Sequence, residues 1–495
     1  MRQIISILLM SVCAMTQAAE LDPIFAKSTG SQPALVVFEG ELELAKSSNL
    51  QGDARTKAVF DAAFARDATL KAQADAIGRP DAERLWLVNA LFLDLNAAQA
   101  KQLAARTDVK SVRASLPHKM QQPIADFQPK RTLAMPYGIT KIRANELWAL
   151  GVRGQGVIIA GADTGYAWEH PALKRSYRGW NGTVVDHNFS WYDGIRDTAI
   201  GSATSSTCTG PASNTACDDG SHGTHTMGTM VGDDLANEQI GVAPDAKWIG
   251  CRNMNLGNGR PDTYLRCMQW LLAPTDLAGN NPDPIRAPHV VNNSWGCPAG
   301  APPGGENCDP ISVLQQGVAT LRAAGIMFVA AAGNSGSGCS SIADPPALYP
   351  ETFTIGNSNS ADSMSGSSSR GPSFLDGVAI AKPDVVAPGS IVRSSVPPSG
   401  YANFSGTSMA SPHVAGAAAL LMSAFPTLKR NPEAVARLLR ETAVPIVGNT
   451  QSCGGILPTF YPNNVAGMGR IDVFAAYQRA LATIDPNGFL SGFEF

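Results

Sequence analysis

The sequence predicts an α/β fold, a mostly parallel sheet covered by helices on both faces, preceded by a smaller α+β unit. From Pro136 onward, short continuous apolar runs at residues 157–160, 290–291, 326–331, 353–355 and 385–386 alternate with helical patterns at 311–324 and 409–425. Runs without polar alternation belong to sheets buried on both sides. The chain of 495 residues is 44% hydrophobic, enough for a large core and more than one domain. Composition also shifts near Arg131: before it the chain is rich in Ala, Gln, Lys and Arg, without cysteine from Glu20 on and with few glycines.

Four segments follow. Residues 1–19 read as an export signal: Met1-Arg2 precedes an apolar run at 4–15, too short to span a bilayer, and Ala18-Ala19 are small enough for cleavage. Val12 is too bulky to precede a lipidated Cys13. In residues 20–131, positions 85–95 read as a strand, 97–105 as a helix and 109–114 as a second strand, followed by the polar, Pro-containing linker 126–135. Residues 132–482 carry the sheet pattern and 483–495 stand apart from it. No later stretch reads as a membrane span, and a net charge of −3 gives no long-range attraction to nucleic acid or an anionic membrane.

Of nine cysteines, Cys13 leaves with the signal, and an even set in an exported chain favours disulfides. Cys208 with Cys217 and Cys297 with Cys308 each close a short loop and are expected to pair; spacing does not pair Cys251, Cys267, Cys339 and Cys453. Zinc is disfavoured, since no C-x-x-C pair exists.

In parallel sheets ligands bind beyond the carboxyl ends of the strands. Past the apolar runs lie Asp163 in "GADTGY", Asn293-Ser294-Trp295-Gly296, and Asn334 in "VAAAGNSGSG". His222 follows Gly220-Ser221 at the start of a helix, with His225 three residues on; without a carboxylate ligand nearby the two make a poor metal pair. Ser408 opens the apolar helix that contains Pro412. Singly, each has a structural reading: D-T-G as a turn, Asn334 as a turn residue, Ser408 as a helix cap. Amide hydrolysis needs a nucleophile, a base, a group that orients the base and donors for the oxyanion, and four such fragments at element ends in one exported chain are far less likely by chance.

Asp163-Thr164-Gly165, His222-Gly223-Thr224-His225, Ala332-Gly333-Asn334 and Gly406-Thr407-Ser408-Met409-Ala410-Ser411-Pro412 resemble the subtilisin-like serine proteases, in the order Asp, His, Ser known for that family. "WEHPALKRSYRGWNG", "NEQIGVAPDAKWIGCRNMN" and "QWLLAPTDL" resemble its bacillopeptidase F branch, and the likeness covers roughly residues 136–480. It implies the three-layer subtilisin-like fold and a serine endopeptidase with Ser408 as nucleophile, His222 as base and Asp163 as its orienting partner. The oxyanion would be met by Asn334 and the Ser408 N–H. Protein or peptide substrates would add as a strand beside Gly257 and Gly259 and beside Ser294, Trp295 and Gly296, with Ala332 and Gly333 in the pocket wall. Whether Trp295 narrows that pocket or enters the core is left open. Residues 20–131 resemble the family's inhibitory propeptide, with a cut near Arg131 and Thr132, and the chain is read as a monomer.

No cofactor is expected for catalysis. The resemblance admits a structural calcium ion, with no complete ligand set among Asp186, Asp193, Asp218, Asp219, Asp233 and Asp234. The long segment between Asp163 and His222 resembles a surface insertion. Two rivals stand beside this reading. An acid-acting sedolisin-like peptidase would use Glu as base and Asp at the oxyanion, which His222 and Asn334 argue against. A catalytically silent binding scaffold would have no need of Asp163, His222 and Ser408 together.

Overall fold

The computed structural model describes residues 19–483 except 45–48, 127–134, 198–199, 201–207, 209–211, 300–307, 309–312 and 447. Residues 1–18 of the expected export signal, the Arg131–Thr132 junction and the segment from residue 484 lie outside the described residues.

Seven parallel strands form the central sheet. Their spatial order is Val385–Pro388, Phe353–Ser358, Met327–Ala331, Val290–Asn293, Ile158–Asp163, Lys247–Arg252 and Trp191–Asp193. All five apolar runs are strands in it. Successive residues of one strand enter opposite layers: Ile159, Val290 and Val329 pack with Met227, Met230 and Val414, while Ala160, Val291, Phe328 and Ala330 pack with Leu265, Met268, Leu314 and Val318. Helices His222–Val231 and Thr407–Ala424 therefore cover one face, and Pro261–Leu272 and Val313–Ala323 the other. The expected three layers are present.

Strand Lys247–Arg252 is absent from the sequence reading because its two ends are charged and Gly250 interrupts it. That glycine is a packing requirement: a Cβ there would lie 2.3 Å from the Tyr166 ring. Helix Thr407–Ala424 begins two residues before its expected start, which places Ser408 in its first turn.

The N-terminal unit is a five-stranded sheet in the order Glu20–Leu21, Val109–Ala114, Gln32–Phe38, Ala90–Leu95 and Glu83–Leu85, with helices Gly52–Phe64, Arg66–Ala76 and Ala97–Ala104. Strand Val109–Ala114 matches its expected bounds. The single strand expected at 85–95 is instead a hairpin that turns at residues 86–89, where Asn89 takes a positive φ of 54°. Asn tolerates that region better than other non-glycine residues, a signal the continuous apolar pattern concealed. Helix Ala97–Ala104 starts with a capping box from Asn96 and Gln99.

This unit docks on helices Pro261–Leu272 and Val313–Ala323. Val36, Leu87 and Leu91 share one apolar cluster with Leu265, Met268 and Val318. Around it, Arg266 donates to both carboxylate oxygens of Glu83, Ser115 Oγ donates to Asp262 at 2.6 Å, and Arg55 Nε and Thr56 Oγ1 donate to the carbonyls of Ala323 and Ala324. The last two complete a helix C-terminus whose carbonyls have no intrahelical donor. Burial opposes ionisation of Asp262, but Arg266 and Arg260 outweigh it and hold the carboxyl below its ordinary range.

Four disulfides form. Cys208–Cys217 and Cys297–Cys308 are the expected pairs; Cys251–Cys267 ties a central strand to helix Pro261–Leu272, and Cys339–Cys453 joins segments 114 residues apart.

Close approach between elements gives a test of this packing. A Cβ on Gly416 would lie 2.6 Å from Val242 Cβ. Ala is intrinsically better than Gly in a helix by about 0.8–1 kcal/mol. Gly416→Ala should nevertheless lower stability by about 1–3 kcal/mol through overpacking, and a variant that unfolds at or above the wild-type denaturant midpoint would contradict the contact.

Candidate active site

The candidate residues converge where the strand order reverses. Strand Ile158–Asp163 has Val290–Asn293 on one side and Lys247–Arg252 on the other, and a ligand crevice is expected beyond the carboxyl ends at such a point. Asp163 ends the first of these strands, Ser294 follows Val290–Asn293, and Asn334 follows Met327–Ala331 by a short turn.

His222 Nδ1 lies 2.7 Å from Asp163 Oδ1, with both side chains buried. The same oxygen accepts the Thr164 N–H, which fixes the carboxylate. The turn into the His222 helix is held from behind by Asp218. Its Oδ1 accepts from Gly220 N, Ser221 N and Thr164 Oγ1, and its Oδ2 from Thr224 N and Thr224 Oγ1. These bonds stabilise Ser221 at φ 62°, an uncommon conformation for a residue with a side chain. Thr164 Oγ1 also accepts the Gly223 N–H, so one hydroxyl ties the residue after Asp163 to the residue after His222.

Asp219 extends this frame to the candidate substrate edge. It receives Arg252 Nη2, and its Oδ1 accepts the Leu256 N–H at 2.9 Å, at the turn before Gly257–Gly259. Arg252 Nη1 also donates to Asp193 Oδ2 in the segment between Asp163 and His222. Asp218, Asp219, Arg252 and Thr164 were not assigned to the site from sequence; the Asp-Asp-Gly-Ser-His string was the available signal for the first two.

Ser408 sits at the N-terminus of a helix buried on every side from Thr407 to Met422. Pro412 has no N–H to donate to the Ser408 carbonyl. Ser294 Oγ fills that role at 3.0 Å, and is itself bonded to Asn292 Nδ2 and Ser411 Oγ. Ser408 Oγ donates to the Ser294 carbonyl at 3.2 Å, while His222 Nε2 has no partner among the described residues. Hydrogen bonds of a catalytic site often tighten only with the reacting substrate in place. Asn334 Oδ1 accepts from Thr407 N at 2.9 Å and Thr407 Oγ1 at 3.1 Å, so the amide is oriented with its Nδ2 free for another acceptor. Gly333 N–H is held by Thr407 Oγ1. Thr407 is a positioning residue that the sequence reading missed.

A cavity of about 250 Å³ opens beside Ser408, Asn334 and Thr407, lined also by Ser294, Gly296, Ala332 and Gly333. Ser294 borders it, as expected for a pocket wall, while its side chain is buried in the helix junction. Trp295 borders it as well, and the open question is answered by its packing: it is buried, stacked on Tyr264 with centroids 4.0 Å apart. The edge at Gly257–Gly259 carries a strand of the N-terminal unit. His118–Lys119 pairs antiparallel with Asn258–Gly259, and Met120 N–H donates to the Gly257 carbonyl. Ile124–Asp126 then pairs with Asn403, Phe404 and Ser405 on the far side of the cleft.

His225 has a structural role. Its Nε2 lies 3.1 Å from the Val392 carbonyl, and its ring stacks on Phe404. Burial and the neighbouring His222 push its pKa down to about 3. Among the described residues no cluster of three or more His, Cys, Asp or Glu side chains is placed to hold a metal ion. The carboxylates considered for calcium are committed elsewhere: Asp193 and Asp219 to Arg252, Asp218 to the Thr164–Thr224 frame, Asp233 to Arg153, Asp234 to the N–H groups of its own turn and Asp186 to Asn188. As a set they do not fit the ion.

Residues 154–469 match the subtilase family model. Bacillopeptidase F of Bacillus subtilis (strain 168) is 34% identical over 426 residues, covering 82% of this chain and 27% of that protein. Subtilisin of Bacillus pumilus is 32% identical over 296 residues, 59% of this chain and 86% of that protein. The major intracellular serine protease of Bacillus subtilis (strain 168) is 29% identical over 338 residues, 67% and 90% respectively. The chain thus spans about a quarter of the length of the first of these relatives.

The junction between Ser294 and the buried helix is testable through stability. Ser294→Ala leaves the Ser408 carbonyl without a donor, and should cost about 1–3 kcal/mol, the penalty of a buried unpaired polar group. Denaturant unfolding indistinguishable from wild type would contradict that role.

Proposed function

The chain belongs to the subtilase family, and from that membership and the geometry of the cleft we propose that it is an exported serine endopeptidase, made as a self-processing proenzyme and acting as a monomer. What supports this is the buried Asp163–His222 pair together with Ser408 and Asn334 on one cavity, in a groove that the chain's own strand crosses as a substrate would.

In this mechanism the Ser408 hydroxyl turns from the Ser294 carbonyl to His222 Nε2, gives up its proton, and its Oγ bonds to the scissile carbonyl carbon. Asp163 holds the ring and stabilises the imidazolium. Charge moves onto the carbonyl oxygen, which accepts from Asn334 Nδ2 and the Ser408 N–H, with the positive end of the buried helix behind them. His222 returns the proton to the leaving amine, and water then hydrolyses the acyl-enzyme with His222 again as base. Neither the silent scaffold nor the acid-acting rival needs this arrangement.

Residues 118–126 occupy the groove between two sheet edges, and Met120 and Gln121 line the same cavity as Ser408. The bond proposed to be cut is Gln121–Gln122, ten residues before the Arg131–Thr132 position expected from sequence. The disulfides and the signal-like N-terminus support export, and no helix among the described residues is long and apolar enough to cross a membrane.

The exported protein should lose its N-terminal unit and begin at Gln122 by N-terminal sequencing and intact mass, while Ser408→Ala keeps the unit. Loss of the unit in both proteins would refute self-processing, and a start at Thr132 would refute the assigned bond. Asn334→Ala should retain processing geometry but reduce turnover on the order of 10²–10³-fold, a magnitude known from subtilisin, a relative of this chain. Unchanged turnover would remove Asn334 from the oxyanion site.

A further inference from the structure

One side chain of the cavity beside Ser408 is unexplained by the chemistry above. Asp344 lines the cavity with Ser408, and among the described lining residues it is the only Asp, Glu, Lys or Arg. Its carboxylate packs against Gly296: a Cβ built there would lie 3.4 Å from Asp344 Cβ and 3.8 Å from its Oδ2. The Asp344 segment is fixed to the opposite rim, since Cys297 N–H donates to the Pro345 carbonyl at 2.7 Å. Among the described residues this carboxylate has no ion pair or hydrogen bond; burial raises its pKa, and only the charge of His118 opposes that. The other buried carboxylates of the site each hold at least one donor: Asp163 Oδ1 meets His222 Nδ1 and Thr164 N, Asp193 and Asp219 meet Arg252, and Asp218 meets Thr224.

We propose that Asp344 is a specificity-determining residue that selects an arginine or lysine side chain on the residue whose carbonyl Ser408 attacks. This rests on the serine endopeptidase reading and adds the substrate class. An unpaired, half-buried carboxylate in a pocket is costly until a cation reaches it, and a charge-assisted hydrogen bond from guanidinium or ammonium removes that cost. The walls supplied by Ala331, Ala332, Ala347 and Trp295 are apolar and suit the methylene stem of a long basic side chain. The chain's own residues in the cavity do not meet this demand fully. Gln121 is neutral and exposed, so the N-terminal strand fills the groove without bringing a cation into contact with Asp344.

The test compares peptides identical except for Arg, citrulline or Leu at that position, hydrolysed by the purified exported protein. Citrulline keeps the shape of arginine without its charge. Wild type should show kcat/KM for Arg about 10- to 100-fold above citrulline, the range of a charge-assisted hydrogen bond. Asp344→Asn should bring the two within about threefold, and Asp344→Glu should keep the preference. Equal rates on Arg and citrulline in wild type, or a preference retained by Asp344→Asn, would overturn the assignment of Asp344. If the Asn variant fails to fold, the wild-type ratio still decides. Absence of hydrolysis of all three peptides by wild type would overturn the peptidase reading and this inference with it.

Discussion

A helix buried all round has no water to complete its ends, and the rest of this site follows from that constraint. Thr407–Ala424 runs beneath the sheet with every residue from Thr407 to Met422 buried. The donors and carbonyls of its first turn must therefore be met by specific neighbours. Asn334 meets Thr407 N, and Ser294 meets the carbonyl that Pro412 leaves without a donor. The same two bonds bring the loops after two central strands against Ser408. Satisfying the helix end and building the site are one event, and the sheet fixes both because those loops leave neighbouring strands.

His222 is placed by a second frame with little slack. Gly223 leaves room for its helix against Asp163 and Gly165, where a Cβ would fall 2.1 Å from the Gly165 carbonyl oxygen. Asp218 supplies acceptors for the turn that precedes it, and Asp219 with Arg252 links that turn to the edge where substrate would pair. Charges this deeply buried are tolerated because each is paired and hydrogen-bonded. The network fixes His222 relative to Asp163 and to the edge at Leu256–Gly259.

The N-terminal unit exploits the same surfaces from outside. It covers two helices with an apolar cluster, meets the carbonyls at the end of Val313–Ala323 with Arg55 and Thr56, and sends one strand across the cleft. Strand addition reads backbone, so it holds the unit in place with little demand on sequence. The pocket beside Ser408, where Asp344 is the only acidic side chain among the described lining residues, is the part of the groove that backbone pairing leaves to side chains.

The layer order and the candidate residues Asp163, His222, Ser408 and Asn334 were legible in the sequence because both are local. Apolar runs at 157–160 and 326–331 mark buried strands by their continuity, and Asp163, His222, Ser408 and Asn334 stand beside glycines at element ends. What stayed hidden depends on partners far apart in the chain. The hairpin turn at Asn89 was masked by the apolar residues on either side, and Lys247–Arg252 by charges whose partners only the fold supplies. Ser294 was expected at a pocket wall, and only the fold shows that its side chain also serves a carbonyl 114 positions away. Thr407, Asp218 and Arg252 were invisible as site residues for the same reason. The sequence by itself determined which groups could react and which strands could form the core, since residue chemistry and apolar periodicity are properties of short segments. Only the tertiary structure decided which buried polar groups must satisfy one another, because that depends on which loops the sheet brings within hydrogen-bond distance.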